Sequence, residues 1–463
     1  MLDLTFIRQN SEKIRHNNKI RKCQVSVDEI LELDKQKRQM AQGLDQMRSR
    51  RNQVSEARND KPSDIQIQEM QKLKESIKYQ ILSIKEIEDQ LNALLLQLPN
   101  LTDESVPVGK DETGNQVYKK WSPDDPKEGI IKEPLFTIKP HWEIGKELDL
   151  IDEEKGAKIA GSRFWYLKNE LVYLEFGIIQ YALNYLKSEK FTPVLPPMIV
   201  RERAMYGTGF FPADENEIYR LANPEIIESR EMSNDKIQMT NQIQNPNVKS
   251  QACQIPTWDE ANQYLIGTAE VPLAAYHSDE VIDLKKPKKY CGFSSCFRRE
   301  AGAYGKDLKG ILRGHQFDKI EMFIFCKEED SWAMHEYLQE IAEKFWQSLG
   351  IPYQTVLMCS GDIGAPNAKK YDIEAWMPGQ GRYREVGSCS NDTDFQARRL
   401  NIKYKNTQGQ KQYAHTLNNT LCALGRTMIA ICENYQTEKG SIEIPEALKP
   451  YMFGIKEISR KSS

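Results

Sequence analysis

The chain has 463 residues, 39% of them hydrophobic and 28% charged, with a formal net charge of -3. That balance allows a soluble chain with a sizeable core, about three domains' worth on a prior of roughly 150 residues each. It also means that the protein as a whole is not an electrostatic nucleic-acid binder, so any RNA contact is expected from a local basic surface. No apolar run approaches the ~18 residues a membrane span needs. The opening MLDLTFIRQN reads as neither a secretory signal nor an Arg/Ser-rich transit peptide, so a cytoplasmic location without a membrane partner is expected. The nine cysteines fit a reducing compartment: there is no CxxC, and Cys291 with Cys296 match no zinc spacing, which leaves buried or idle thiols and no zinc.

Two long helices are predicted first. Ile30, Leu33, Lys37, Met40, Leu44, Met47, Arg51 and Val54 alternate spacings of three and four, and Met70, Leu73, Ile77, Gln80, Ile84, Ile87, Leu91, Leu94 and Leu98 repeat the pattern. This is a heptad seam. The cluster Asn59-Asp60-Lys61-Pro62-Ser63-Asp64 between them ends one helix and starts the next, which predicts an antiparallel hairpin. Arg48, Arg50, Arg51, Arg58 and Lys61 make the tip of this arm basic and its seam weak. Such a tip suits phosphates, and it equally fits an ordinary solvated helix face.

Pro99 and the polar stretch LTDESVPVGKDETGNQ read as a linker. Beyond about residue 130 a helical period over Lys168 to Lys187 alternates with β-rich runs at 191–200, 264–273, 289–297 and 319–326. The mixture lacks regular βαβ alternation and predicts α+β with a mainly antiparallel sheet flanked by helices. The division expected is residues 1–105 for the helical domain and 106–463 for the second, with 221–258, rich in Asn, Gln, Glu and Ser, as a surface insertion.

Chemistry concentrates in four segments. In CFRREAGAYGKDLKGILRGHQFDKIEMF a strand–loop–strand carries Arg298, whose planar fork suits a phosphate. Glu300 is expected on the same side of the strand, ready to accept from an exocyclic amine, and Phe317 to stack on a purine. In Glu385-Val386-Gly387-Ser388 a carboxylate and a hydroxyl offer hard oxygens to a divalent cation. In the segment beginning at Thr416, the stripe Leu421, Leu424, Met428, Ile431, Cys432 and Tyr435 predicts an amphipathic helix from near Thr420, with Arg426 on another face. Thr268-Ala269-Glu270 is expected to close a strand and hold an ammonium group. Each also fits a commonplace alternative: a charged hairpin, a polar turn, an exposed helical arginine. There is no GxxxxGK[ST] and no HExxH, and GQGRYR lacks a dinucleotide-fold setting.

Taken together, these segments resemble the seryl-tRNA synthetases of bacterial type, within class II of the aminoacyl-tRNA synthetases. FRREAGAYGKDLKGILRGHQFDKIEMF is similar to motif 2 of that class and LNNTLCALGRTMIAICENYQ to motif 3. GAKIAGSRFWYLKNEL, GTGFFP, GTAEVPL, PHWEIGKELDLID and LPNLTDESVPVGKDE follow the seryl family in order along nearly the whole chain.

The resemblance implies activation of L-serine by ATP with Mg²⁺, and transfer of the seryl group to tRNA(Ser), with tRNA(Sec) as a further substrate, by a homodimer. It assigns ATP to Arg298, Arg299, Glu300, Phe317, Glu385, Val386, Gly387, Ser388 and Arg426. Mg²⁺ goes to Glu385 and Ser388. Serine goes to Thr268, Ala269, Glu270, Arg298, Glu321 and Thr420, and Arg298, Arg426 and Glu385 carry catalysis. The arm would grip the long variable arm of the tRNA by shape. Two departures stand out: Asn419 replaces the Gly of an L-N-G-T turn, where Asn tolerates a left-handed backbone, and Gly387 replaces a Ser. A relative that adenylates an amino acid for a carrier protein would lack the arm, and a silent RNA-binding relative would have lost the charged residues.

Overall fold

The computed structural model describes residues 2–56, 64–132, 134–222, 262–301 and 309–460. Arg58 and Lys61, and residues 223–258 of the expected insertion, lie outside the described residues. The described chain forms two compact units, the first ending at Pro99 and the second beginning at Asn100.

In the first unit two short helices, Leu4–Gln9 and Ser11–Ile20, precede the long pair, Val27–Glu56 and Asp64–Gln97. The heptad pattern gave no sign of the short ones. The longer arm has 34 residues, about 50 Å at roughly 1.5 Å per residue. Lys37 pairs with Glu88 at 3.0 Å, the Gln80 amide donates to the Met40 carbonyl at 3.1 Å, and Arg50 pairs with Glu69 at 2.7 Å. Partners therefore fall in number on one helix as they rise on the other, which is the antiparallel order. Ile30, Leu44, Ile77 and Leu91 are buried in the seam.

The second unit is built on eight strands: β1 (Gln116–Trp121), β2 (Thr192–Val194), β3 (Lys288–Phe297), β4 (Gln316–Cys326), β5 (Tyr353–Leu357), β6 (Lys369–Met377), β7 (Arg382–Thr393) and β8 (His415–Ala423). They lie in the order β1-β5-β6-β7-β8-β4-β3-β2. Neighbours are antiparallel except the edge strand β2, which runs parallel to β3. The architecture is the expected α+β. Helices Glu170–Ser188, Ser331–Ser348 and Leu424–Asn434 contribute Leu174, Phe345 and Ile431 to one core with Ile324, Tyr353 and Leu417 of the sheet. The stretch after Pro99 is tied down: the Asn100 side chain donates to the carbonyls of Pro366 and Asp392, each at 2.8 Å. The eight described cysteines are free thiols, and all but Cys23 are buried.

Three local expectations need correction. Thr268 and Glu270 do not close a strand: that strand stops at Leu265, Thr268 lies in a turn, and Glu270 opens the helix Glu270–Ala275. The helix of the last segment starts at Leu424, because the apolar run that includes Leu421 belongs to the fully buried centre of β8, where both faces are covered. Asn419 is extended in β8, not left-handed, and its amide donates to the Leu338 carbonyl at 2.9 Å.

The Phe345 ring is fully buried, stacked on Tyr181 at 5.6 Å and tilted against Tyr185 at 5.7 Å. Phe345→Ala should cost about 3–5 kcal/mol, read as a lowered urea midpoint.

Candidate active site

A strip of polar side chains crosses the middle of the sheet from β6 to β4. On β4 the period of two puts Phe317, Lys319 and Glu321 on one side, and Thr420 of β8 sits directly opposite Glu321 in register. Lys319 Nζ pairs with Glu321 at 2.6 Å and donates to the hydroxyls of Thr268 at 2.7 Å and Thr420 at 3.3 Å. Both hydroxyls in turn donate to Glu321 Oε2, at 3.3 Å and 3.1 Å. All four residues are buried.

Residues three apart on a regular strand face opposite ways, yet Glu385 and Ser388 of β7 touch, the Ser388 hydroxyl donating to Glu385 Oε1 at 3.2 Å. A bulge makes this possible. Register slips between Ile373 and Glu374 of β6, which pair with Gly387 and Glu385, so Val386 is the extra residue that turns Glu385 to the side of Ser388. Gly387 is required where it stands, since a Cβ there would lie 2.5 Å from the Thr420 carbonyl.

Arg426, third in the helix Leu424–Asn434, donates through Nη1 to the Glu385 carbonyl at 2.7 Å and lies 3.3 Å from its carboxylate. Arg298 follows the last residue of β3, its Nε donating to the Gly267 carbonyl at 3.2 Å and its guanidinium 5.4 Å from the centre of the Phe317 ring. Glu300 therefore does not share a strand face with Arg298. It lies beyond the strand end with φ +52°, and Arg313 pairs with it at 3.0 Å.

These groups line one open cavity of about 370 Å³. It gathers Arg298, Glu300, Phe317, Glu385, Val386, Gly387, Ser388, Arg426, Thr268, Glu270, Glu321 and Thr420. Two expected members are not on its wall: Arg299 is exposed, its backbone N–H donating to the Glu217 carbonyl at 2.8 Å, and Ala269 is fully buried behind it. The sequence reading missed Lys319, Lys370, Arg313 and Asn418, which also line the cavity. The two-residue step from Lys319 to Glu321 was the available signal for the first. In the arm, Arg48, Arg50 and Arg51 are exposed; Arg48 lies 3.7 Å from Asp45, Arg50 pairs with Glu69, and Arg51 donates to Asn52.

Electrostatics divide the cavity. Burial works against the Glu385 charge, but Arg426, Lys370 and Arg298 outweigh it and hold the carboxyl at about 2. Burial pushes Glu270 up to about 8, with Asp392 and Glu321 adding repulsion, although the Gln396 amide donates to it at 2.7 Å. Burial likewise pushes Asp392 up to about 7. One end is thus cationic around an ionised carboxylate, and the other holds a carboxyl whose ionised form an arriving cation would favour, the proton leaving to solvent. Glu385 and Ser388 offer hard oxygens suited to Mg²⁺ beside phosphates. Among the described residues no group of three or more His, Cys, Asp or Glu converges on a metal position.

The antiparallel sheet carries Arg298 just past the end of β3 and Arg426 at the start of the helix that follows β8, both facing one cavity, and this is the arrangement of a class II aminoacyl-tRNA synthetase core. The family model of the tRNA synthetase class II core domain (G, H, P, S and T) matches residues 253–435, and that of the seryl-tRNA synthetase N-terminal domain matches residues 1–102. The chain belongs to the seryl-tRNA synthetase family. It is 41% identical over 469 residues to the serine--tRNA ligase of Dictyoglomus turgidum, both chains being covered in full. It is 39% identical to that of Treponema denticola, covering 97% of this chain and 98% of the relative. The seryl-tRNA synthetase of Pyrococcus horikoshii, solved in complex with ATP, superposes over 100% of both chains with a TM-score of 0.84 and 37% identity. The cytoplasmic serine-tRNA ligase of Naegleria fowleri, solved with AMP, does so with a TM-score of 0.81 and 32% identity over 100% and 99% of the two chains.

A Glu270 carboxyl near 8 in the folded protein, against its ordinary 4.5, gives stability that is present below about 4.5 and lost as pH rises towards 8. Without ligands, wild-type Tm should fall more steeply from about pH 6 to about pH 8.5 than that of Glu270→Gln, which cannot titrate.

Proposed function

We propose that the cavity takes ATP and L-serine together, forms seryl-adenylate, and passes the seryl group to the terminal ribose of tRNA(Ser); the chain has the activity of a serine--tRNA ligase. The observation that carries this reading is the division of one cavity into a cationic end and a buried Glu321–Thr420–Lys319 end. A serine carboxylate oxygen attacks the α-phosphorus of ATP, a P–O bond forms, and the bond to pyrophosphate breaks. The step needs alignment and charge neutralisation more than a base. Arg298 bridges the α-phosphate and the serine carboxylate, Arg426 holds the γ-phosphate, Glu300 accepts from the adenine amine, and Phe317 stacks on the ring. Backbone at Val386 and Gly387 lines the nucleotide, with Arg299 at the margin. Glu385 and Ser388 would hold Mg²⁺, which would supply further charge neutralisation at the triphosphate. A ribose hydroxyl of the tRNA then attacks the seryl carbonyl and releases AMP.

Thr268 and Glu270, with Ala269 behind them, receive the ammonium, and Glu321 with Thr420 receives the side-chain hydroxyl. A site built to hydrogen-bond a hydroxyl strongly rejects the analogue without it, because its own buried groups are then left unpaired. That fits discrimination against alanine.

Residues 1–105 would serve the tRNA and 106–463 the chemistry, with Arg48, Arg50 and Arg51, and Arg58 and Lys61 outside the described residues, meeting phosphates of the long variable arm; tRNA(Sec) is the further substrate of the same mode. Exposed Tyr173, Phe176 and Phe453 beside the helix Glu170–Ser188 support a homodimer. No described helix is long and apolar enough to cross a membrane, and the free thiols of the eight described cysteines fit a cytoplasmic setting.

Serine-dependent exchange of pyrophosphate into ATP tests the reading: wild type should exchange with serine and not with alanine. Thr420→Val should lower kcat/KM for serine about 10–100-fold and leave the KM for ATP unchanged; unaffected serine use would remove Thr420 from the site. For the arm, Arg48→Glu combined with Arg51→Glu should raise the KM for tRNA(Ser) about tenfold at low salt while exchange stays at the wild-type rate.

A further inference from the structure

We propose that His141, Glu433 and Glu153, none of which lines the cavity, are positioning residues for its ATP half, acting as a clamp on the residues where the chain returns from Arg299 to β4. The inference rests on the assignment of ATP to the cavity. The return leg places Ile311, Leu312 and Arg313 on the cavity wall. Its backbone is held from outside by two side chains: the Gly310 N–H donates to Glu153 Oε1 at 2.8 Å, and the Ile311 N–H donates to His141 Nε2 at 3.2 Å.

The second bond fixes the imidazole. Because Nε2 accepts, the ring proton sits on Nδ1, which donates to Glu433 Oε1 at 2.9 Å. Glu433 is tied in further. Its Oε1 accepts from the His141 backbone N–H at 3.0 Å and from the Gln380 amide at 3.1 Å, and its Oε2 accepts from the Gly379 N–H at 3.0 Å. His141 and Glu433 are fully buried, so no water stands by to replace a lost partner. The fit is close: Gly310 has φ +74°, and a Cβ there would lie 2.0 Å from His141 Nε2.

What the clamp holds reaches both ends of the nucleotide. The Leu312 carbonyl accepts from Arg426 Nε at 3.4 Å, and Arg313 pairs with Glu300 at 3.0 Å. Gly425, beside Arg426, has no Cβ where one would come 3.2 Å from the Ile311 carbonyl, so the leg lies directly over the helix start. The groups assigned to the serine hydroxyl, Glu321 and Thr420, hang instead on β4 and β8, where they bond to each other, to Lys319 and, for Glu321, to Thr268. Loosening the clamp should therefore disturb ATP more than serine, whereas a histidine that merely filled the core would affect stability alone.

The test is steady-state pyrophosphate exchange with the full chain carrying His141→Ala, His141→Gln or Glu153→Ala, alongside Tm. His141→Ala should raise the KM for ATP about tenfold and Glu153→Ala about threefold, with the KM for serine within about twofold of wild type. His141→Gln, which keeps an acceptor near the Nε2 position, should recover most of the loss. If His141→Ala does not fold, Glu153→Ala, at a partly exposed helix start, decides the matter. Equal rises for ATP and serine, or an ATP KM within twofold of wild type in the folded alanine variants, overturn the clamp. A wild-type chain with no serine-dependent exchange overturns the ATP reading and the clamp with it.

Discussion

A buried ammonium beside a buried carboxylate governs the middle of this molecule. Lys319 and Glu321 stand two residues apart on β4, 2.6 Å between charges and nearly sealed from water. Taking two ions out of water is costly, and leaving either without its partner is costlier, about 3–5 kcal/mol. The pair is tolerable because the hydroxyls of Thr268 and Thr420 complete its hydrogen bonding. That requirement fixes the register of β8 against β4 and the seat of the turn ahead of Glu270. A slip of one residue would turn Thr420 away and leave the carboxylate under-bonded. The constraint that sets the sheet register thus also places the side chains proposed to receive a hydroxyl, so on that reading specificity and folding draw on the same bonds.

The cationic end follows a different logic. Glu385 and Ser388 would point to opposite sides of a regular strand, and the bulge at Val386 brings them together. The bulge in turn needs a residue without a side chain at Gly387, because the Thr420 carbonyl lies where a Cβ would be. The Gly that stands where the resemblance implies Ser is therefore matched to the close approach of β7 and β8. Asn419 on the neighbouring strand shows the same adjustment. It spans to the helix Ser331–Ser348 through the Leu338 carbonyl, a use that Gly could not serve.

Much of this was legible in the sequence. The heptad seam indicated the antiparallel arm, and the ordered motifs indicated the family and twelve of the residues that line the cavity. Spacing failed wherever tertiary burial overrode local pattern. The run that includes Leu421 is periodic enough for a helix, but its backbone is claimed by two neighbouring strands, so the helix waits until Leu424. Glu300 was placed by strand period, yet the strand ends at Phe297 and a left-handed residue re-aims the carboxylate towards Arg313. Lys319 was overlooked because a lysine in an apolar strand reads as an exposed edge residue until its partners across the sheet are known.

The residues that sequence could least have revealed are those that act at one remove. His141 and Glu433 are 292 positions apart and touch no ligand position, so no local pattern joins them. Their bond matters because the segment that puts Ile311, Leu312 and Arg313 on the cavity wall has backbone groups to satisfy from behind. Its N–H groups at Gly310 and Ile311 point away from the cavity and need acceptors there. Glu153 and His141 provide them, and Glu433 fixes the tautomer that lets His141 accept. A cavity wall built from a loop is only as well aimed as the acceptors behind it, so the proposed ATP half draws on residues that do not line the cavity.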